Sequence, residues 1–138
     1  MNLFKTLFAL ILIIASFASL GEISVIVNAA NTDPLDAKTI KRIYLGKIKA
    51  FPNGQSITVL TLEDSKPETE EFRESALKKS NSQFQSHWAK LAFTGKGTPP
   101  TEVSNNAEMI SAIKADTSSI GFVDSSAVTG DVKVVATY

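Results

Sequence analysis

Apolar and polar residues follow two different periods along this chain, and the two periods predict different elements. Continuous apolar runs predict four strands, at Ile23–Val27, Ile57–Leu62, Ile120–Val123 and Val132–Ala136. The run at Ile23–Val27 is almost wholly β-branched and ends at Asn28, which predicts a strand buried on both faces.

Between these runs, apolar residues recur three or four positions apart, which predicts helices. Four helices are predicted, and each begins with a capping or opening signal. In chain order these signals are Asp36, Ser65 with Pro67, Ser80 with Gln83, and Asn105 with Glu108. Gly46 ends the first helix, because glycine adopts the left-handed conformation that follows a helix without a side-chain clash. Strands that alternate with helices predict an α/β fold, a mixed β-sheet flanked by helices.

The first 21 residues are predicted to be a signal peptide, and residues 22–138 the folded α/β domain. Lys5 precedes an almost wholly apolar stretch, Leu7–Ala15, and small residues follow it. Cleavage fits after Ala18 or after Gly21. The alternative is an uncleaved anchor, but the apolar run is shorter than the ~20 residues that span a bilayer. We therefore expect export to the periplasm and no stable membrane insertion after cleavage.

The amino-acid composition excludes several classes of function. The chain has 14 Lys and Arg against 14 Asp and Glu, so it has no general attraction for nucleic acid. It has no cysteine, which excludes disulfides, thiolate metal sites and a lipoprotein anchor on cysteine. We expect no metal and no cofactor.

Two motifs that resemble catalytic or phosphate sites are better explained as structural parts of the fold. His87 is the only histidine and stands beside Trp88 on an amphipathic helix, with no marked nucleophile or metal-ligand partner. Gly95–Thr98 lacks the spacing of a phosphate-binding P-loop and leads into two prolines, so it predicts a helix-ending loop. No catalytic constellation is visible, and we expect a protein that is not an enzyme.

The junction between the second strand and the second helix is the strongest candidate site. A strand that feeds a helix N-terminus presents free N–H groups, which favour an anion. Ser65, Lys66 and Thr69 add donors, whereas Glu63 and Asp64 would repel an anion. The residues alone leave ligand binding and a plain helix cap open. A wider acidic cluster surrounds this junction and consists of Glu63, Asp64, Glu68, Glu70 and Glu71. It lacks the spacing of a calcium loop, and most of it complements the helix dipole.

Two segments carry a resemblance to a known family. Arg42-Ile43-Tyr44-Leu45-Gly46-Lys47-Ile48 and Ser119-Ile120-Gly121-Phe122-Val123-Asp124 resemble the periplasmic phosphate-binding proteins of ABC transporters, with further matches at Trp88, Gly95 and Asn106. The resemblance runs from about Ile23 to Val128 and implies a single lobe, the second, of a type II periplasmic binding protein.

The family's phosphate loop, roughly R-x-D-G-S-G-T, falls on Leu62–Glu68 and keeps only Asp64. Leu62 replaces its arginine, Lys66 its serine and Glu68 its threonine, although a shift of one residue lets Ser65 stand for the serine. The resemblance thus implies ligand-binding roles for Asp64 as acceptor and for Ser65 and Lys66 as donors.

Two functions follow from the resemblance and remain open at this stage. The first is an exported solute-binding-type protein that binds phosphate or another small anion weakly, with ABC transporter membrane subunits as partners and a second subunit supplying the missing lobe. The second is a non-enzymatic periplasmic interaction module that binds another envelope protein and has kept the scaffold but lost the ligand loop.

Overall fold

A computed structural model describes residues 21–138, and the predicted signal peptide lies outside the described residues except for Gly21. In chain order the elements are β1 (Ile23–Asn28), α1 (Ala37–Tyr44), β2 (Thr58–Leu62), α2 (Pro67–Phe72), a π-helix (Arg73–Leu77), α3 (Asn81–Phe93), β3 (Thr101–Val103), α4 (Asn106–Ala115), β4 (Ser119–Asp124), a 3₁₀-helix (Ser125–Ala127) and β5 (Val132–Thr137). No helix within residues 21–138 is long and apolar enough to cross a bilayer.

The five strands form one mixed sheet in the order β3-β2-β4-β1-β5. Strand β2 runs parallel to β3 and β4, whereas β1 runs antiparallel to β4 and β5. Every residue of β1 is buried, as its β-branched sequence predicts, because this strand lies between two others with helices over the sheet. The predicted α/β class with a mixed sheet is therefore confirmed.

Three of the four predicted helix starts are confirmed by their caps, whereas the second helix has Lys66 in place of Ser65 at its N-cap position and no side-chain cap. Asp36 accepts a hydrogen bond from the Thr39 amide, Asn105 accepts one from the Glu108 amide, and Ser80 forms the reciprocal capping box with Gln83. Gly46 follows the end of α1 with a φ of 76°, the left-handed conformation that its identity predicted.

Three aromatic rings join the helices to the sheet. Phe72 stacks on Phe122 of β4 with ring centroids 4.1 Å apart, and the Tyr44 ring meets Phe72 edge-on at 4.8 Å. The Tyr44 hydroxyl donates a hydrogen bond of 2.8 Å to the buried Leu60 carbonyl. This cluster fixes α1 and α2 over the middle of the sheet, and so fixes the loop that precedes α2.

Two features depart from the sequence-based expectation. Strand β3 was not predicted, because its three residues are too few to show a period. The second helix is not α-helical throughout, since its last five residues form a π-helix. The π-helix matters for the site, because it begins at Arg73.

Candidate functional site

The corner between β2 and α2 is held by backbone groups and by Thr69. Lys66 occupies the N-cap position but makes no side-chain cap, and Pro67 follows as the first helical residue. The buried Thr69 hydroxyl donates a 2.7 Å hydrogen bond to the Glu63 carbonyl, which ties the first turn of α2 back to the end of β2. The corner is therefore a fixed platform.

Asp64 accepts hydrogen bonds from groups of the protein itself, and its role as an acceptor for a ligand stays a prediction. One carboxylate oxygen lies 2.7 Å from a guanidinium nitrogen of Arg73, and the other accepts a 2.7 Å hydrogen bond from the Gln85 amide. The Asp64 carbonyl also accepts a hydrogen bond of 3.4 Å from the Asn81 side chain. The carboxylate thus faces the α2–α3 side of the corner and is charge-compensated.

Arg73 is the residue at this corner that sequence reasoning missed. Its side chain is only 2% exposed, lies 4.0 Å above the centre of the Phe84 ring, and donates a 3.0 Å hydrogen bond to Asn81. At about 100° per residue the helical period places Arg73 between Ala76 and Leu77, on the buried face of the helix. Sequence reasoning missed it because a charged side chain is rarely buried unless it is paired.

Ser65 and Lys66 face solvent at the start of α2. Ser65 is exposed and Lys66 half-buried, and within residues 21–138 neither side chain makes a hydrogen bond or ion pair. Asp64, Ser65 and Lys66 are adjacent in sequence, but the structure separates their roles. Asp64 braces the corner, whereas the other two present free donor groups to solvent.

The same edge of the sheet gathers two further polar groups. Because β2, β3 and β4 are parallel, their carboxyl ends meet here, together with the start of α4. The Asp124 amide donates to the Asn106 side chain over 3.3 Å, and the Asp124 carboxylate accepts hydrogen bonds from the Ser126 hydroxyl and amide at 2.6 and 2.9 Å. These bonds from Ser126 lower the pKa of Asp124, so this edge carries a firmly ionised carboxylate.

The remaining sequence candidates have structural roles. A ring nitrogen of His87 lies 2.8 Å from the Leu45 carbonyl and joins α3 to the end of α1. Gly97 packs against the Trp88 ring, and the loop around it does not precede a helix, so it is no phosphate loop. In the described part of the chain, no group of three or more histidine or acidic side chains is placed to hold a metal ion.

Comparison by sequence finds no matching protein-family model and no matching curated protein. Comparison by structure matches 84% of the chain to three substrate-binding proteins. A protein described as a phosphate ABC transporter substrate-binding protein, solved with bound phosphate, from Clostridium perfringens has a TM-score of 0.67 and 20% identity. The ABC-type phosphate transport receptor from Vibrio cholerae has a TM-score of 0.54 and 20% identity. PstS from Borrelia burgdorferi has a TM-score of 0.60 and 12% identity.

The matched part is 45%, 46% and 47%, respectively, of the Clostridium, Vibrio and Borrelia chains, so this chain spans less than half the length of the proteins it resembles. At these identities the likeness concerns the fold. The resemblance predicted from Arg42–Ile48 and Ser119–Asp124 is thereby confirmed at the level of the fold, and the chain has the architecture of a single lobe of a phosphate ABC transporter substrate-binding protein.

Proposed function

We propose that this chain is an exported, non-enzymatic solute-binding-type protein that binds phosphate or a similar small anion weakly at the corner between β2 and α2. Residues 1–21 serve as its cleaved signal peptide, residues 22–138 form the binding domain, and the periplasm is its compartment. The Clostridium and Vibrio proteins that share this fold are described as a substrate-binding protein and a transport receptor, which supports a binding role over a catalytic one.

The observation that carries the anion proposal is the pairing of Asp64 with Arg73. An unpaired carboxylate at a helix start would repel an anion, whereas the Arg73 guanidinium at 2.7 Å compensates that charge. Ser65 and Lys66 then present a hydroxyl and an ammonium group at the start of α2. These side chains are the main donors, because Pro67 has no N–H and the Thr69 amide donates to the Lys66 carbonyl. Phosphate would bind to these two side chains, with Asp64 holding the corner through Arg73 and Gln85.

The same geometry requires the affinity to be low. Arg73 is buried and already paired, so it has no donor group directed at solvent. Glu63 and Glu68 flank the donors and oppose a second negative charge. An anion that keeps most of its water on the open side gains little from a few donors. We therefore expect a dissociation constant near a millimolar, unless a second subunit or an ABC transporter membrane subunit covers the site.

Phosphate titration of the purified protein tests the proposal through melting temperature and Trp88 fluorescence. At ten times a millimolar dissociation constant, binding adds about 1.4 kcal/mol of stability. For a domain of this size that raises the melting temperature by about 5 °C. Sodium chloride at matched ionic strength controls for general salt effects.

Two lysine variants locate the effect. Lys66→Ala should remove most of the phosphate-induced rise, whereas Lys79→Ala, a lysine beyond the other end of the helix, should leave it intact. A melting temperature that does not move in 10 mM phosphate, beyond the chloride control, would exclude the anion proposal.

The second candidate, a periplasmic interaction module that binds another envelope protein, rests on a different feature of the same corner. Asp64 and Arg73 satisfy each other and three neighbouring side chains, which is what a corner retained for stability alone would show. A negative phosphate titration together with a specific protein partner in cross-linked envelope extract would favour this function.

A further inference from the structure

We propose that the groove between α3 and β3 binds an extended peptide segment that carries an apolar side chain flanked by basic residues. This site is distinct from the Ser65–Lys66 donors and does not depend on anion binding. The occupant is a segment of another protein, and the argument rests on the shape, the free strand edge and the charge of the groove.

The groove contains a cavity of about 280 Å³. Most of its walls are apolar, and they are formed by Phe84, Trp88, Ala89, Ala92, Pro99 and Pro100. Pockets for whole small molecules measure about 300–1,000 Å³ and enclose most of the ligand. This open cavity is therefore of a size for one or two side chains of a longer chain that lies across the surface.

One side of the groove is the free edge of the sheet. Within residues 21–138 strand β3 is outermost and pairs only with β2, so its other side presents unpaired backbone N–H and C=O groups. Glu102 lies opposite Thr61 in the register, and both line the cavity, so the face of β3 that points at α3 is the groove wall. A peptide added beside β3 would bond to its backbone and direct alternate side chains into the cavity.

The polar residues of the groove select a basic partner. Among the described residues that line the cavity, Asp64 and Glu102 are acidic and Arg73 is basic. Arg73 and Asp64 neutralise each other, whereas Glu102 is exposed and forms no ion pair within residues 21–138. The groove therefore keeps one uncompensated negative charge at its mouth, which favours lysine or arginine beside the inserted apolar side chain.

The apolar surface continues beyond the cavity along α3. Ala89 and Ala92 are exposed, and Phe93 is 93% exposed, the most exposed of the large apolar side chains in the described part of the chain. One exposed apolar residue is ordinary, but Phe93 lies one turn of α3 beyond Ala89, so it extends the apolar wall of the cavity along the helix. A bound segment would cover this strip.

A defined probe tests the site: the acetylated, amidated pentapeptide Lys-Thr-Leu-Thr-Lys, titrated into the ¹⁵N-labelled full chain. Alternate side chains of a strand share a face, so the leucine and both lysines would point at the groove together. We expect saturable shifts of the amide signals of Thr101–Val103 and Ala89. The acidic peptide Glu-Thr-Leu-Thr-Glu should bind at least about fivefold more weakly, since Glu102 repels it.

Exposed-site variants separate binding from folding. Glu102→Lys should weaken the basic peptide by about tenfold and improve the acidic one, because it reverses the charge at the mouth. Ala89→Arg should block the cavity, whereas Ala107→Arg, at an exposed alanine of α4, should bind as the parent does. The proposal is overturned by an absence of shifts at 5 mM basic peptide, equal binding of the acidic peptide, or equal affinity of the two arginine variants.

Discussion

The buried pair of Arg73 and Asp64 predicts an unequal response to the loss of either partner. Asp64→Ala would leave a guanidinium that is 2% exposed without its counter-charge. Arg73→Met would instead leave a carboxylate that is 41% exposed, still bonded to Gln85 and open to water. Removing the acid should therefore destabilise the fold more than removing the base.

The magnitudes follow from the contacts of each side chain. Breaking a buried pair by removing one partner costs about 3–5 kcal/mol. Because Arg73 keeps its contacts with Asn81 and Phe84, we expect Asp64→Ala to cost about 3 kcal/mol, at the lower end of this range. Methionine keeps much of the volume of the arginine stem, so Arg73→Met loses its hydrogen bonds and the cation–π contact, or about 1–2 kcal/mol. The double variant lacks both charges and should be more stable than Asp64→Ala alone.

Urea unfolding of the three variants and the parent, followed by circular dichroism at pH 7, measures these differences as a double-mutant cycle. At about 4 °C per kcal/mol, Asp64→Ala should also melt about 12 °C below the parent. The reasoning is refuted if Asp64→Ala costs less than Arg73→Met, or if the double variant is less stable than Asp64→Ala.

Two further predictions concern Gly46 and Tyr44. Gly46→Ala would place a methyl group 2.7 Å from the Trp88 ring at a φ of 76°, whereas Gly95→Ala has a φ of 68° and open space. The left-handed conformation alone costs about 1–2 kcal/mol, so Gly95→Ala should lose that amount and Gly46→Ala at least 1 kcal/mol more in urea unfolding. Burial raises the pKa of Tyr44 well above 10, so its stability contribution is complete below pH 10 and is lost as the pH rises toward the folded-state pKa. Tyr44→Phe should cost about 1–3 kcal/mol at pH 7, because the Leu60 carbonyl loses its hydrogen bond from the hydroxyl. The variant should also lose less stability than the parent between about pH 9 and 11. If both proteins lose the same stability over that range, Tyr44 is not the group responsible.

Most of the fold was predictable because its signals are local. The β-branched run of β1, the caps at Asp36, Ser80 and Asn105, and the glycine after α1 all depend on neighbours within a few residues. Strand β3 carries no such signal, because its three residues form a strand only through pairing with β2 about 40 positions earlier.

The candidate site was predictable only in part, for the same reason. The junction between a strand and a helix pointed to Asp64, Ser65 and Lys66. What separates the bonded Asp64 from the exposed Ser65 is contact with distant residues such as Gln85, which the local sequence does not show. Arg73 could not be assigned to the corner from its residue type, because an arginine is expected to stay exposed unless it is paired, and its partner Asp64 lies outside the helix. The groove beside β3 was also out of reach, because its walls join α3 to an unpredicted strand.

The pairing of β1 has a consequence for the order in which this chain can fold. Among the described residues, β1 pairs only with β4 and β5, and Ile23 exchanges both backbone hydrogen bonds with Tyr138 at 2.9 and 2.8 Å. A chain that emerges from its N-terminal end, from a ribosome or through a membrane pore, holds its most apolar strand without partners until the last twenty residues arrive. Such long-range closure slows folding, and until it occurs the apolar side chains of β1 stay exposed to water.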